Sequence, residues 1–171
     1  MTAPFDIRAL DDRHDRSAFA SGNDALDRYL ATQAGQDQRR RVSVCFAATP
    51  TNSQRVVGYH TLAAASVSLA DLPEKLAKKL PRYPLVPAAR IGRLAVDVSM
   101  RGQGLGGALL ADALLRAARS EIAVHAAIVD AKDDQAAAFY RHHGFIAYGS
   151  QPRSFILPLA TAIRAMEKAI E

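Results

Sequence analysis

A mixed α/β fold, one central sheet flanked by helices, is what this sequence predicts, and three observations predict it. At 171 residues and 49% hydrophobic content, the chain has the length and apolar mass for one self-sufficient core, so one domain over residues 1–171 is expected. Helix-period and strand-period patterns succeed one another along it without internal repeats, low-complexity tracts or long Gly/Ser linkers. And a glycine loop, Arg101-Gly102-Gln103-Gly104-Leu105-Gly106-Gly107, lies where a strand pattern gives way to a helix pattern.

The series opens with the cap-like cluster Ser21-Gly22-Asn23-Asp24. Leu26, Tyr29, Leu30 and Gln33 follow at helical spacing, which predicts an amphipathic helix from Asp24 to Gln38 ending in Arg39-Arg40-Arg41. Val42 to Ala48 and Arg55 to Ser66 read as an antiparallel strand pair joined by the turn-rich, exposed Thr49–Gln54. Pro73 to Leu80 predicts a short helix carrying Lys75, Lys78 and Lys79. The prolines of Pro81-Arg82-Tyr83-Pro84-Leu85-Val86-Pro87 then predict a structured loop, because they forbid helix and disfavour an interior strand. A strand is expected over Ala89–Asp97. The glycine loop comes next, followed by a helix over Leu105–Ala118 with Leu105, Leu109, Ala113, Leu114 and Ala117 on one stripe. Ile122–Val129 reads as a buried strand, Asp133–His143 as a helix, Phe155–Leu157 as a last strand and Thr161–Ile170 as a terminal helix.

Composition excludes several classes. The single Cys45 sits in an apolar run, where a buried thiol is expected and no disulfide framework is possible. No stretch has the apolar length of a membrane span and the first residues lack signal-peptide character, so the cytoplasm is the expected compartment. A net charge of +5 and a pI of about 9.7 favour polyanionic partners. His142 and His143 close a helix, where a cation is favourable, and no metal site is assigned.

Four glycines within Gly102–Gly107, at a strand–helix junction, let backbone N–H groups and a helix N-terminus converge on a pyrophosphate. Gly102, Gly104 and Gly107 also satisfy G-x-G-x-x-G, with Asp130 as a possible ribose ligand. Against a dinucleotide fold, the polar stretch Asp97–Arg101 separates the apolar strand from the first glycine, and too little chain follows for a full dinucleotide domain. A Walker loop is excluded because no Lys-Ser or Lys-Thr pair follows the glycines.

Arg101-x-x-Gly104-x-Gly106 resembles the R/Q-x-x-G-x-G/A signature of the GNAT acetyltransferases, which binds the acetyl-CoA pyrophosphate. Asp133-x-x-Ala136-x-x-Phe139-Tyr140-x-x-x-Gly144-Phe145 resembles the second signature of that family, whose tyrosine protonates the departing CoA thiolate. The resemblance therefore implies the GNAT fold and acetyl-CoA as cofactor. It gives the cofactor to Arg101, Gly102, Gln103, Gly104, Leu105, Gly106, Gly107 and Asp133, the last a carboxylate where many relatives carry an amide. The backbone of Leu94, Ala95 and Val96 takes the pantetheine arm, and Tyr140 becomes the catalytic acid. Further blocks are similar to the acetyltransferase toxins of toxin–antitoxin modules: Phe19-x-Ser21-Gly22-x-x-x-Leu26-Asp27-x-Tyr29-Leu30, Arg82-Tyr83-Pro84, Gly92–Asp97 and Asp130–Asp133. Those toxins acetylate the amino group of aminoacyl-tRNA, block translation and are neutralised by a ribbon-helix-helix antitoxin; the resemblance also implies a homodimer.

The residues themselves bear on the acceptor. A tyrosine with a pKa of about 10 keeps its proton at neutral pH and can deliver it to a thiolate, the plain alternative being that Phe139 and Tyr140 pack as consecutive helix aromatics. No acidic residue is marked out as a general base, which a lysine acceptor with a pKa of about 10.4 would require. An α-amino group, at about 7.7–8.0 and lower beside an ester, does not require one. His60 is open to two roles, base or structural strand histidine. Contacts to RNA phosphates fall to Arg39, Arg40, Lys78, Arg82, Arg90 and Arg93, and Tyr83 either stacks on a terminal base or packs on its prolines. Two other acceptor classes, a small amine and a protein N-terminus, share the cofactor chemistry, and a non-catalytic acetyl-CoA-binding module is the reading outside enzymes. Which amino acid or tRNA is chosen is not legible.

Overall fold

The computed structural model describes residues 4–170. Among them run the strands β1 (Phe5–Ala9), β2 (Val44–Pro50), β3 (Gly58–Ser68), β4 (Leu85–Val96), β5 (Ala126–Asp130), β6 (Ile146–Ala147) and β7 (Ser154–Pro158). The helices are α1 (Asp24–Thr32), α2 (Ala34–Arg39), α3 (Glu74–Ala77), α4 (Leu105–Ala118), α5 (Asp134–His142) and α6 (Leu159–Ile170). Hydrogen-bonded strand neighbours follow the order β1-β2-β3-β4-β5-β7-β6. The pairs β1/β2, β2/β3, β5/β7 and β6/β7 are all antiparallel, which rules out the parallel sheet of a dinucleotide domain. Two compact units are distinguishable, Met1–Ala63 with Ile91–Ala113 and Ala64–Arg90 with Leu114–Glu171.

In the first unit, Leu30, Cys45, Ala47, Val56 and Tyr59 are wholly buried and form one cluster, and Ala48, Val57, Leu105 and Leu109 form another. The second cluster seats the N-terminal half of α4, so the loop before Leu105 is carried on a fixed base. Asn23 caps α1 by accepting from Leu26 N at 3.0 Å. The helix expected over Asp24–Gln38 is divided at Gln33 (φ −118°), whose side-chain amide donates to Gln36 and Asp37 across the bend. The bend buries Leu30 and Ala34 together, and the helical period of the sequence continues through it unbroken. β1 was not anticipated, since none of its residues is fully buried and five residues give little alternation.

In the second unit, Val67, Leu72, Val86, Ala88, Ala126, Ile128 and Ile156 make the core. The loop expected over Pro81–Pro87 is shorter, because β4 begins at Leu85 and includes Pro87. Its ring is exposed, and the residue contributes only the carbonyl, which accepts from His125 N at 3.0 Å. The strand expected from Ile122 begins at Ala126 instead: Ile122 is 78% exposed in a turn where its N–H donates to Ser120 Oγ. α3 covers only four residues, with Pro73 at its N-cap, and the two-residue β6 had no sequence signal. The α4 boundaries coincide with those expected. Among the described residues no helix is long and apolar enough to cross a membrane.

Candidate active site

The loop before α4 takes its shape from backbone conformation. After a 3₁₀ turn over Val98–Met100, Gly102 and Gly104 adopt φ of 75° and 81°, a region costly for residues with a Cβ. A Cβ built at either glycine meets nothing within 4 Å, so the outer face of the loop is open. The first α4 hydrogen bond runs from Ala108 N to Gly104 O, which leaves the N–H groups of Leu105, Gly106 and Gly107 without a helical acceptor. Three such donors at the positive end of a helix dipole, beside an open glycine backbone, fit a pyrophosphate. Arg101 is exposed, with Nη2 donating to Ser21 O at 2.7 Å.

The strand leading into this loop ends in a buried carboxylate that positions it. Asp97 is 2% exposed; it accepts from Ala20 N (3.0 Å), Ser99 N (2.9 Å) and Ser99 Oγ (2.7 Å), and its own N–H donates to Val57 O. Burial alone would raise its pKa, but the Ala20 and Ser99 donors and the Arg55 guanidinium outweigh it and hold the carboxyl below its usual value. The available signal was a lone acid at the end of an apolar strand. Upstream in β4, Leu94 and Val96 are half-buried and Ala95 is buried. The Arg93 guanidinium lies 3.6 Å from the Tyr29 ring centroid, and Tyr29 in turn donates to Asp37 at 2.8 Å.

In the second unit Tyr140 is 6% exposed, and burial pushes its phenol up to about 12. Desolvation is the cause of this shift, and the ring packs edge-on against Phe139 and Phe145. The rest of the motif explains how the ring is held. Phe145 N donates to Tyr140 O and Gly144 N to Arg141 O, with Gly144 at φ 93°: a Schellman end to α5 whose hydrophobic contact is the Phe145 ring, 5.5 Å from Tyr140. At the other end of α5, Asp133 is the N-cap, accepting from Ala136 N at 2.8 Å.

The remaining candidates divide by environment. Arg39 and Arg40 are exposed in the first unit. In the second, Lys78 is exposed at the C-cap of α3, and Arg82 lines an apolar cleft of about 460 Å³ with Leu69, Leu72, Ala77 and Pro84. Tyr83 is 70% exposed, against packing on its prolines. Arg90 is paired with Asp130 Oδ2 at 2.9 Å, and Asp130 Oδ1 accepts from Ser154 Oγ at 2.6 Å, so both oxygens of the candidate ribose ligand are engaged within the protein. His60 is wholly buried against Phe46; because a carboxylate only accepts, Nε2 donates to Asp112 at 2.8 Å, while Nδ1 has no hydrogen-bond partner among the described residues. Cys45 is buried, its thiol pushed up to about 12 by desolvation, so it is no nucleophile at neutral pH. Among the described residues no group of three His, Cys, Asp or Glu could hold a metal.

Comparison with known proteins agrees with this geometry. The model of the acetyltransferase (GNAT) domain matches residues 43–147. The chain is similar to a tRNA-acetylating toxin of Mycobacterium tuberculosis, 36% identical over 157 residues that cover 91% of this chain and 92% of that protein. Its fold is similar to that of AtaT complexed with acetyl-methionyl-tRNAfMet (29% identity, TM-score 0.84, 98% of this chain and 99% of that one). It is similar also to AtaTR bound with AcCoA (28%, TM-score 0.81, 95% and 98%). A tyrosine-to-phenylalanine mutant of AtaT bound to the C-terminus of the antitoxin AtaR is comparable (25%, TM-score 0.79, 95% and 98%). A family match over more than half the chain, together with a full-length relative, establishes that this protein belongs to the GNAT family of N-acetyltransferases, which take their acetyl group from acetyl-CoA.

Proposed function

We propose that this chain, working as one domain over residues 1–171, is a toxin that acetylates the α-amino group of aminoacyl-tRNA and thereby blocks translation, and that a ribbon-helix-helix antitoxin neutralises it. The observation that carries this reading is the likeness to AtaT in complex with its acetylated aminoacyl-tRNA, which extends over 98% of the chain and so includes the elements outside the cofactor motifs. Location in the cytoplasm and a homodimeric state belong to the same reading.

Bound acetyl-CoA supplies an activated acetyl group as a thioester. The open N–H groups of Leu105, Gly106 and Gly107, beside the glycine backbone of the 101–107 loop, would hold its pyrophosphate, the backbone of Leu94, Ala95 and Val96 would align the arm, and Asp133 acts by starting α5 in the right place. Tyr140 holds a proton at its phenolic oxygen for the departing thiolate, and burial keeps that proton in place across the physiological range. No side-chain base is needed, because an α-amino group titrating at about 7.7–8.0 is already partly neutral. Arg39, Arg40, Lys78, Arg82 and Arg93 supply the positive charge for the RNA backbone, Tyr83 offers an exposed ring to a base, and Arg90 contributes less because Asp130 offsets its charge.

The test is transfer of radiolabelled acetyl from acetyl-CoA to bulk charged tRNA, with deacylated tRNA, polyamines, peptides and aminoglycosides as controls. Label on charged tRNA alone is the expected result. Label confined to small amines or peptides would replace the acceptor and keep the cofactor assignment.

A further inference from the structure

The segment Ala20–Asn23 lies outside both acetyltransferase signatures, yet it is fastened to the glycine loop at several points. Val98 N donates to Ala20 O at 2.9 Å, Ala20 N donates to Asp97 Oδ2 at 3.0 Å, and Arg101 Nη2 donates to Ser21 O at 2.7 Å. From its other side the segment is tied to α1, since Ser21 N and Ser21 Oγ both donate to Asp27 Oδ1, at 2.9 and 2.6 Å. Gly22 sits under the arginine at φ 89°, and a Cβ there would lie 2.7 Å from Arg101 Nη2. The torsion disfavours a side chain at this position, and a Cβ there would also push the flexible Arg101 guanidinium off its seat.

We infer that Arg101 is a positioning residue for the pyrophosphate loop and that Ser21–Gly22 is its socket. The guanidinium side chain belongs to the residue immediately before Gly102, the first of the two positive-φ turns that expose the loop backbone. Anchoring that side chain to Ser21 O fixes where the turn begins, and Asp97 fixes the strand end from which the loop departs. In this arrangement the cation acts on the cofactor through the loop it holds, and the phosphate is gripped by N–H groups. The inference rests on the family assignment and its acetyl-CoA, and is independent of the acceptor proposed above.

The experiment is a double-mutant cycle on the full chain, with acetyl-CoA binding read by calorimetry in the absence of any acceptor. Arg101→Ala and Gly22→Ala should each weaken acetyl-CoA binding by about tenfold, the size expected for loss of one charge-assisted hydrogen bond. The double variant should bind within about twofold of either single one, because both changes break the same contact. Acetyl-pantetheine, which lacks the pyrophosphate, should bind parent and variants alike by ligand-observed NMR. Three results would overturn the inference: Gly22→Ala binding as tightly as the parent, losses that multiply in the double variant, or an equal loss for acetyl-pantetheine, which would mean general damage to the fold. If the parent itself failed to bind acetyl-CoA, the cofactor reading beneath the inference would fall with it; a parent that binds but acetylates no tRNA would leave the inference standing.

Discussion

The glycine loop of the first unit and the end of α5 in the second use opposite means. Gly102 and Gly104 are exposed, carry no side chain, and act through torsion angles that leave the loop backbone open; Tyr140 is buried and acts through one hydroxyl whose proton burial secures. A highly charged phosphate group can be held by an open backbone, since several donors share the load and solvent access does little harm. A proton donor has the reverse requirement, because its function depends on a single pKa, and that is set by the surroundings of one side chain. The two regions should therefore fail in different ways.

The largest effect expected is for Tyr140→Phe, which should lower kcat by about 10²–10⁴ while acetyl-CoA binding stays at the parent value. Steady-state kinetics beside calorimetry would show it, and weakened binding with an intact kcat would invert the division of labour. Gly104→Ala should do the converse. Forcing a Cβ into φ 81° costs roughly 1–2 kcal/mol, so the Kd for acetyl-CoA should rise about 5–30-fold with kcat at saturation little changed. A fall in kcat as large as that for Tyr140→Phe would erase the contrast. The smallest effect is one of pH. With Tyr140 at about 12, the protonated acid persists below that value and is lost only as pH rises through it. On the proposed acceptor, kcat/KM should climb until the α-amino group is neutral, near pH 8, and then stay level to about pH 9.5. A descending limb within that window would show that the acid titrates far lower than its burial implies.

Much of this division is legible in the sequence, for identifiable reasons. Leu105–Ala118 emerges with both ends in place because a glycine loop starts it and a single apolar stripe runs its length. The signature from Asp133 to Phe145 marks the second region, while the cap at Asp133 and the Gly144-Phe145 ending of α5 emerge from the backbone hydrogen bonds. What escaped depends on distant partners. β1 is strand only because β2 accepts it; Pro87 is admitted to β4 because His125 requires only its carbonyl; the bend at Gln33 leaves the apolar period intact. In the site, the stacking of Arg93 on Tyr29 and the seating of Arg101 over Gly22 join residues 64 and 79 positions apart, and no local pattern announces them.

The glycines near the cofactor loop also differ in how freely they could be exchanged. Around Gly102 and Gly104 there is room, and the obstacle to another residue is handedness alone; asparagine, which tolerates the left-handed region and is found there at Asn52 (φ 65°), is the replacement each would accept most readily. At Gly22 a left-handed asparagine would meet the Arg101 guanidinium as well, and would have to displace it. A change that loosens the phosphate loop can thus arise about eighty residues upstream of it, in a turn that no nucleotide-binding motif describes.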